Sequence, residues 1–545
     1  MSLRIGLAQI NTTVGDFAGN IEKMKQACAR AKKANLDLLI FPELSICGYP
    51  PEDLLLKKHF LQENKKVVEQ LAKDCPDITI MVGFAEISDD TSFNSLAVLD
   101  KGKITKIYRK ALLPNYGVFD EKRYFVGGNE PAVIKIKNIS IICTICEDIW
   151  ELGRLKKFLS SISEKGLIVN ISASPFYAGK INQRLKVLQN CASMFGCPVA
   201  YCNTVGGQDE LVFDGRSMFV DSSGKLIAAA KAFEEDLLIA DIADGKVKAQ
   251  SAQLKTDYIE EIYQALVLGT KDYVRKNGFK KVLIGLSGGI DSALTAVIAV
   301  DALGKENVIG VTMPTRFNAA ETINDAEIVA KNLGIEFHNI AIEQILKSFN
   351  MELSKISGWN EKGLAYENLQ ARIRGTILMS MSNQFGHLVL TTGNKSETAV
   401  GYSTLYGDTA GGFAVIKDVP KTVVYQLCEY LNKLHGREFV PQSVIIRIPT
   451  AELRFGQKDS DTLPEYEILD SILKAYIEEE KSLPEIVKQG FDAETVIKVI
   501  GMVDRNEYKR RQCPPGVKIT PKAFGRDRRM PITNLYRQKI PRQNN

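Results

Sequence analysis

Histidine is nearly absent from this chain: His59, His338, His387 and His435 are the only four among 545 residues. A His-rich metal site and several independent His-based centres are excluded, so strong catalysis must use Cys, Lys and carboxylates. No run of 18 or more apolar residues occurs, so nothing reads as a membrane-spanning helix. The chain opens Met1-Ser2-Leu3-Arg4-Ile5-Gly6 without a basic n-region, an apolar h-region or a small-residue cleavage site. Ten scattered cysteines make no disulfide framework, and a reducing, cytoplasmic compartment with free thiols is expected. Internal repeats and low-complexity tracts are also missing. What is present is an ordinary globular composition, 45% hydrophobic and 25% charged, in a chain too long for one core.

The net charge of +5 is unevenly placed. Residues 504–545 hold twelve bases and three acids, so this tail carries +9 and everything before it −4. A basic end of this kind, with Tyr508, Phe524 and Tyr536 among its arginines, raises nucleic acid as one candidate partner.

Through residues 1–245 short β-rich runs such as Arg4–Ile10, Leu36–Phe41, Ile78–Phe84, Ile139–Cys143 and Leu167–Ile171 alternate with amphipathic stretches such as Asn20–Ala34 and Gln183–Ala192. This predicts a layered α/β domain over 1–245. Residues 246–265 read as a linker, and a second α/β domain fills 266–545. It opens with the strand Lys281-Val282-Leu283-Ile284-Gly285-Leu286 and continues through Val308–Thr312. That alternation predicts a doubly wound parallel sheet with its ligands beyond the carboxyl ends of the strands.

Three side chains in the first domain follow apolar runs: Glu43 after Leu38-Leu39-Ile40-Phe41-Pro42, Lys110 after Ile107-Tyr108-Arg109, and Cys146 after Ile139–Ile145. A free thiol has a pKa of about 8.5 and needs a base or a positive neighbour to act near neutral pH. A carboxylate base with an ammonium at the oxyanion would substitute for a Cys-His pair. Cys143 and Cys146 also spell C-x-x-C, the spacing of a redox pair or half a zinc site. No second C-x-x-C accompanies it, and Cys143 falls within the apolar run.

In the second domain Gly285-Leu286-Ser287-Gly288-Gly289-Ile290-Asp291-Ser292 follows a strand and opens an apolar helix. Glycines let the backbone approach phosphate oxygens, while free amides and the helix dipole favour the anion. Ser287 and Ser292 offer hydroxyl donors. No Gly-Lys-Ser/Thr follows, which excludes a Walker A loop, and no G-x-G-x-x-G is present. Asp291 would repel phosphate unless a cation intervenes, which argues for Mg²⁺.

Phe41-Pro42-Glu43-Leu44, Tyr108-Arg109-Lys110-Ala111-Leu112-Leu113-Pro114 with Phe119-Asp120-Glu121, and Ile145-Cys146-Glu147-Asp148-Ile149-Trp150 resemble, in order and separation, the signature of the nitrilase/carbon–nitrogen hydrolase superfamily. The resemblance implies an α-β-β-α sandwich with Cys146 as nucleophile, Glu43 as general base, Lys110 near the oxyanion and Glu121 as a supporting acid. The Ser287–Ser292 loop resembles the S-G-G-x-D-S motif of ATP pyrophosphatases. Glu367–Arg374, Leu390–Glu397, Tyr406–Phe413, Lys509–Gln512 and Phe524–Pro531 look like the NAD synthetases among them, and the combined pattern is similar to the glutamine-dependent NAD⁺ synthetases.

That resemblance implies ATP at residues 285–292 and Thr392, deamido-NAD⁺ at Asn368, Glu397 and Lys509, and Mg²⁺ at Asp291 and Glu397. It places glutamine at Tyr116, Ser174 and Lys180. It further implies a ligase that moves ammonia from glutamine to an adenylated nicotinate, and a homo-oligomer; because free ammonia would be protonated in bulk water and lose its nucleophilic lone pair, an enclosed passage between the sites is expected. The expected partners are glutamine, ATP and deamido-NAD⁺, with no nucleic acid and no membrane. The rivals are another glutamine-fed ATP-pyrophosphatase amidotransferase and a tRNA-modifying enzyme.

Overall fold

The computed structural model describes residues 2–160, 162, 164–243, 245–249, 254 and 256–538. The chain divides into two units, residues 1–256 and 257–545.

In the first unit two sheets stack face to face. One has seven strands in the spatial order Lys246–Ala249, Asp236–Ala243, Leu3–Gln9, Leu38–Ile40, Thr79–Ser88, Thr91–Asp100 and Lys103–Arg109. The other has six, ordered Leu226–Ala229, Met218–Val220, Val199–Asn203, Leu167–Ser172, Ile139–Ile145 and Val133–Ile136. Strand residues alternate between faces. Ile141, Cys143 and Ile145 therefore share a central core with Ile5, Leu7 and Ile40 of the other sheet. The opposite faces are covered by helices. Ile80, Val82 and Phe84 pack on Met24, Ala31 and Leu71 from the helices Phe17–Lys33 and Lys58–Asp74. Ile142, Ile168 and Val199 pack on Leu155, Leu188 and Ala192 from Leu152–Phe158 and Lys180–Phe195. The result is the four-layer α-β-β-α sandwich.

Two details depart from the sequence expectation. Lys246–Ala249 pairs antiparallel with Asp236–Ala243, so the first unit's sheet extends into the segment expected as a linker. The helix Tyr258–Lys276, N-capped by Asp257, then belongs to the second unit. Lys103–Arg109 keeps only the short apolar stretch Ile107-Tyr108 among charged residues because it is an edge strand, where charged side chains block further pairing.

The second unit is built on five parallel strands in the order Glu336–Asn339, Val308–Thr312, Val282–Gly285, Leu388–Thr391 and Phe413–Ala414. The strand Val282–Gly285 comes first in sequence and lies in the middle, so the order reverses beside it. In a doubly wound sheet that crevice is the ligand site. The helix Ile290–Leu303, which follows the central strand, is buried along most of its length.

Candidate active sites

In the first unit the parallel strands Leu38–Ile40, Ile139–Ile145 and Leu167–Ser172 deliver Glu43, Cys146 and Ser174 just past their carboxyl ends. The turn bearing Glu43 lies against Gly83, where an added Cβ would fall 2.4 Å from Leu44 N and 2.5 Å from Pro42 O. Cys146 starts the turn Cys146–Ile149 with φ at +41°, a left-handed conformation that β-carbon sterics disfavour. The turn is held by Asp148, which accepts from Ile145 N at 2.9 Å and Tyr108 Oη at 2.7 Å. Its other oxygen accepts from Ala111 N at 3.1 Å and Leu112 N at 2.9 Å. One carboxylate thus ties the Cys146 turn to the loop that carries Lys110.

Lys110 Nζ lies 2.8 Å from Glu43 Oε1 and 2.8 Å from Glu121 Oε1, with all three side chains buried. Glu43 also accepts from Asn94 Nδ2 at 2.7 Å and Ala173 N at 2.8 Å. Charge-assisted bonds of this number fix a carboxylate in place. Burial raises Glu121 to about 7, opposed by Lys110 and reinforced by Glu43. Burial also pushes the Cys146 thiol well up, Glu43 adds to this, and Lys110 opposes it. The ammonium itself stays charged, because the two carboxylates outweigh its desolvation. Glu121 Oε2 and Asn94 Oδ1 are buried with no hydrogen-bond partner among the described residues.

The three residues expected at glutamine are less uniformly enclosed. Tyr116 is 58% exposed and its hydroxyl donates to Glu147 at 3.0 Å. Ser174 is buried, with its amide on Asn203 Oδ1 at 2.9 Å. Lys180 donates to Pro175 O at 2.8 Å. Behind Ser174 lies the buried pair Arg184–Asp214, at 3.0 Å.

In the second unit a cavity of about 880 Å³ opens over the loop after Val282–Gly285. Gly285, Leu286, Ser287, Gly289, Ile290, Asp291, Ser292, Thr392, Asn368, Glu397 and Lys509 all line it. Gly288 does not, and its φ of +81° with Thr322 O only 2.0 Å from an added Cβ shows why no other residue fits. Ser287 and Ser292 are engaged within the loop: Ser292 Oγ donates to Gly289 O at 2.9 Å, and Ser287 Oγ accepts from Gly289 N at 3.2 Å.

The cation facing Asp291 is a side chain. Lys421 Nζ is bonded to Asp291 Oδ2 and stands 3.8 Å from Glu397 Oε1. Sequence spacing gives no sign of this lysine, which lies 130 positions away. Asn394 joins the same group: its Nδ2 donates to Asp291 Oδ1 at 2.9 Å, while its Oδ1 accepts from Glu397 N at 2.9 Å. Burial and the Asp291 charge raise Glu397 to about 8 despite Lys421. Nearby, Thr404 Oγ1 donates to Asn368 Oδ1 at 2.7 Å, and Lys509 Nζ donates to Gly401 O at 2.7 Å and Ser403 O at 2.8 Å. Arg374 also lines the cavity, and burial lowers it to about 10.

Residues 4–251 match the carbon-nitrogen hydrolase family and residues 262–513 the NAD synthase family. Glutamine-dependent NAD(+) synthetase from Thermotoga maritima is 48% identical, covering 99% of this chain and 100% of the relative. The enzyme of that name from Aquifex aeolicus is 46% identical over 98% of this chain and 100% of its own. The chain belongs to the glutamine-dependent NAD⁺ synthetase family. A solved member, glutamine-dependent NAD⁺ synthetase from Acinetobacter baumannii in complex with ADP, has a TM-score of 0.80 at 43% identity. It covers 98% of this chain and 99% of its own. Relatives along the full length leave neither another amidotransferase nor a tRNA-modifying enzyme favoured. Among the described residues no helix is long and apolar enough to cross a membrane.

Asn94, Asp148, Asn394, Lys421 and Arg374 escaped the sequence reading. Asp148, Arg374 and Asn394 stand inside the motif segments without an assigned role, whereas Asn94 and Lys421 lie outside them and are marked only by their long-range partners. The one local signal was Asn394, which stands three residues before Glu397 in the spacing of a helix capping box.

Proposed function

We propose that this chain makes NAD⁺ from deamido-NAD⁺, ATP and glutamine, with the two half-reactions assigned to the two units. In the first unit Cys146 transfers its proton to Glu43, and Sγ attacks the side-chain amide carbon of glutamine. Lys110 stabilises the oxyanion, held in place by Glu121. The C–N bond breaks, ammonia leaves with the proton from Glu43, and water then releases glutamate from the thioester. Tyr116, Ser174 and Lys180 bind glutamine in this reading.

In the second unit residues 285–292 and Thr392 bind ATP, and Asn368, Glu397 and Lys509 bind deamido-NAD⁺. The nicotinate carboxylate attacks the α-phosphorus, pyrophosphate leaves, and ammonia displaces AMP from the adenylate to give NAD⁺. Adenylation is required because a carboxylate is a poor acyl electrophile. Asp291 and Glu397 would hold Mg²⁺. The two carboxylates converge on one ammonium, an oxygen donor set suited to a hard cation, whose charge would hold Glu397 ionised against its burial. Such an ion would neutralise charge on the departing pyrophosphate.

The observation that carries the reading is the buried Glu43–Lys110–Glu121 trio beside a thiol at positive φ. The ten unpaired thiols support a reducing, cytoplasmic setting. The test is Cys146→Ala: glutamine-supported synthesis is abolished while synthesis from added ammonium survives. Equal loss of both would refute the two-site assignment.

A further inference from the structure

The helix that carries Glu397 is only six residues long, Lys395–Val400. A helix this short has no stability of its own, and its last carbonyls have no partner within it. Its amino end is held by Asn394, which also binds Asp291. Its carboxyl end is held from far along the chain. Arg510 Nη1 donates to Ala399 O at 2.6 Å, and Asn506 Nδ2 to Val400 O at 2.7 Å. Lys509 Nζ serves Gly401 O and Ser403 O.

The fit is close. Gly401 turns the chain at φ +71°, and a Cβ there would lie 2.2 Å from Asn506 Cγ, so the amide of Asn506 covers the glycine directly. Arg510 is fixed from behind. Its Nη2 donates to Glu507 Oε2 at 2.9 Å, and its guanidinium lies 4.8 Å from the centre of the Phe524 ring. Arg528 reinforces the arrangement by donating to the same Glu507 oxygen at 3.1 Å. Cations at a helix carboxyl end are also favoured by its dipole.

We propose that Asn506 and Arg510 are positioning residues for the synthetase reaction, capping the helix that carries Glu397 so that its carboxylate is held beside Asp291 and Lys421. This rests on the reading that Glu397 serves that reaction. It also gives the basic tail a role directed inward: Arg510 and Lys509 cap carbonyls, Arg528 pairs with Glu507, and Lys518 pairs with Asp527 at 2.7 Å.

The test uses the full chain with ammonium as nitrogen donor. Asn506→Asp is isosteric but replaces a donor with a carboxylate facing Val400 O. It is expected to lower kcat about 100-fold with little change in KM for ATP, the size of effect that a misplaced catalytic group of ~1 Å produces. Hydrogen exchange should accelerate in residues 395–402 and stay unchanged in Val282–Gly285. Arg510→Lys, which keeps a cationic donor, should retain more activity than Arg510→Met. Should Arg510→Met fail to fold, Asn506→Asp decides. Unchanged exchange in 395–402, or wild-type kcat in Asn506→Asp, overturns the proposal. Glu397→Gln separates the two ideas: full ammonium-supported synthesis in that variant refutes the role of Glu397 itself, whatever the Asn506 variants do.

Discussion

Replacing Lys110 with Met preserves side-chain length and removes the charge. Glu43 and Glu121, each 2.8 Å from that ammonium and 0% and 6% exposed, are then left as neighbouring carboxylates without a counterion. Removing one partner of a buried ion pair costs ~3–5 kcal/mol, and at ~2–4 °C per kcal/mol the first unit should unfold ~6–20 °C lower. The pH dependence has a definite sign. Glu121 sits at about 7 while Lys110 pulls it down, so loss of the ammonium raises it further. A carboxyl whose folded pKa is raised contributes stability that is complete below its unfolded pKa and lost as pH rises through the folded one. The wild-type contribution is gone once pH passes about 7, whereas the variant's continues to fall above it. The deficit should therefore be small near pH 5 and grow toward about pH 8.5. Calorimetric melts of both proteins across that range test this, alongside glutamate release, which should fall ~10²–10³-fold with loss of the oxyanion's partner. A melting point near wild type at the alkaline end, or a deficit independent of pH, would refute the buried-trio argument.

Glu43→Gln removes the neighbouring charge that raises Cys146, so the midpoint of iodoacetamide alkylation should move to lower pH even as glutamate release is lost; an unmoved midpoint contradicts the proximity of the two groups. Gly288→Ala forces a Cβ to 2.0 Å from Thr322 O at positive φ. The resulting strain of about 1–3 kcal/mol should weaken ATP binding about 5- to 150-fold by titration calorimetry, and wild-type affinity would show that the loop adapts. Lys421→Met leaves Asp291 and Glu397 without their shared ammonium. Ammonium-supported synthesis should fall ~10²-fold, while alkylation of Cys146 continues at the wild-type rate. A parallel loss in both readouts would point to general unfolding instead.

Much of the architecture was legible because it is written in local patterns. The short apolar β-rich runs at Ile139–Cys143 and Leu167–Ile171 became paired parallel strands, and Gly285–Ser292 became the strand-to-helix turn at the centre of the doubly wound sheet. Lys103–Arg109 was not legible as a strand, since an edge strand needs charge where a central one needs apolar side chains. The basic tail was misleading for a related reason. Composition reports how many charges a segment has, and not which way they face. Arg510 and Arg528 turn inward onto Glu507 and the end of the Glu397 helix.

The sequence alone determined which chemistry was available: one thiol, one lysine and two acids in recognisable surroundings, and a glycine loop shaped for phosphate. Backbone conformation and strand order follow from steric and hydrophobic preferences among near neighbours, which a linear pattern records. Only the tertiary structure decided who answers whom. Ala173 N reaches Glu43 across 130 positions, and Lys421 reaches Asp291 across the same separation. Pairings of that kind are imposed by desolvation, because a buried charge must find a partner wherever the fold brings one within reach.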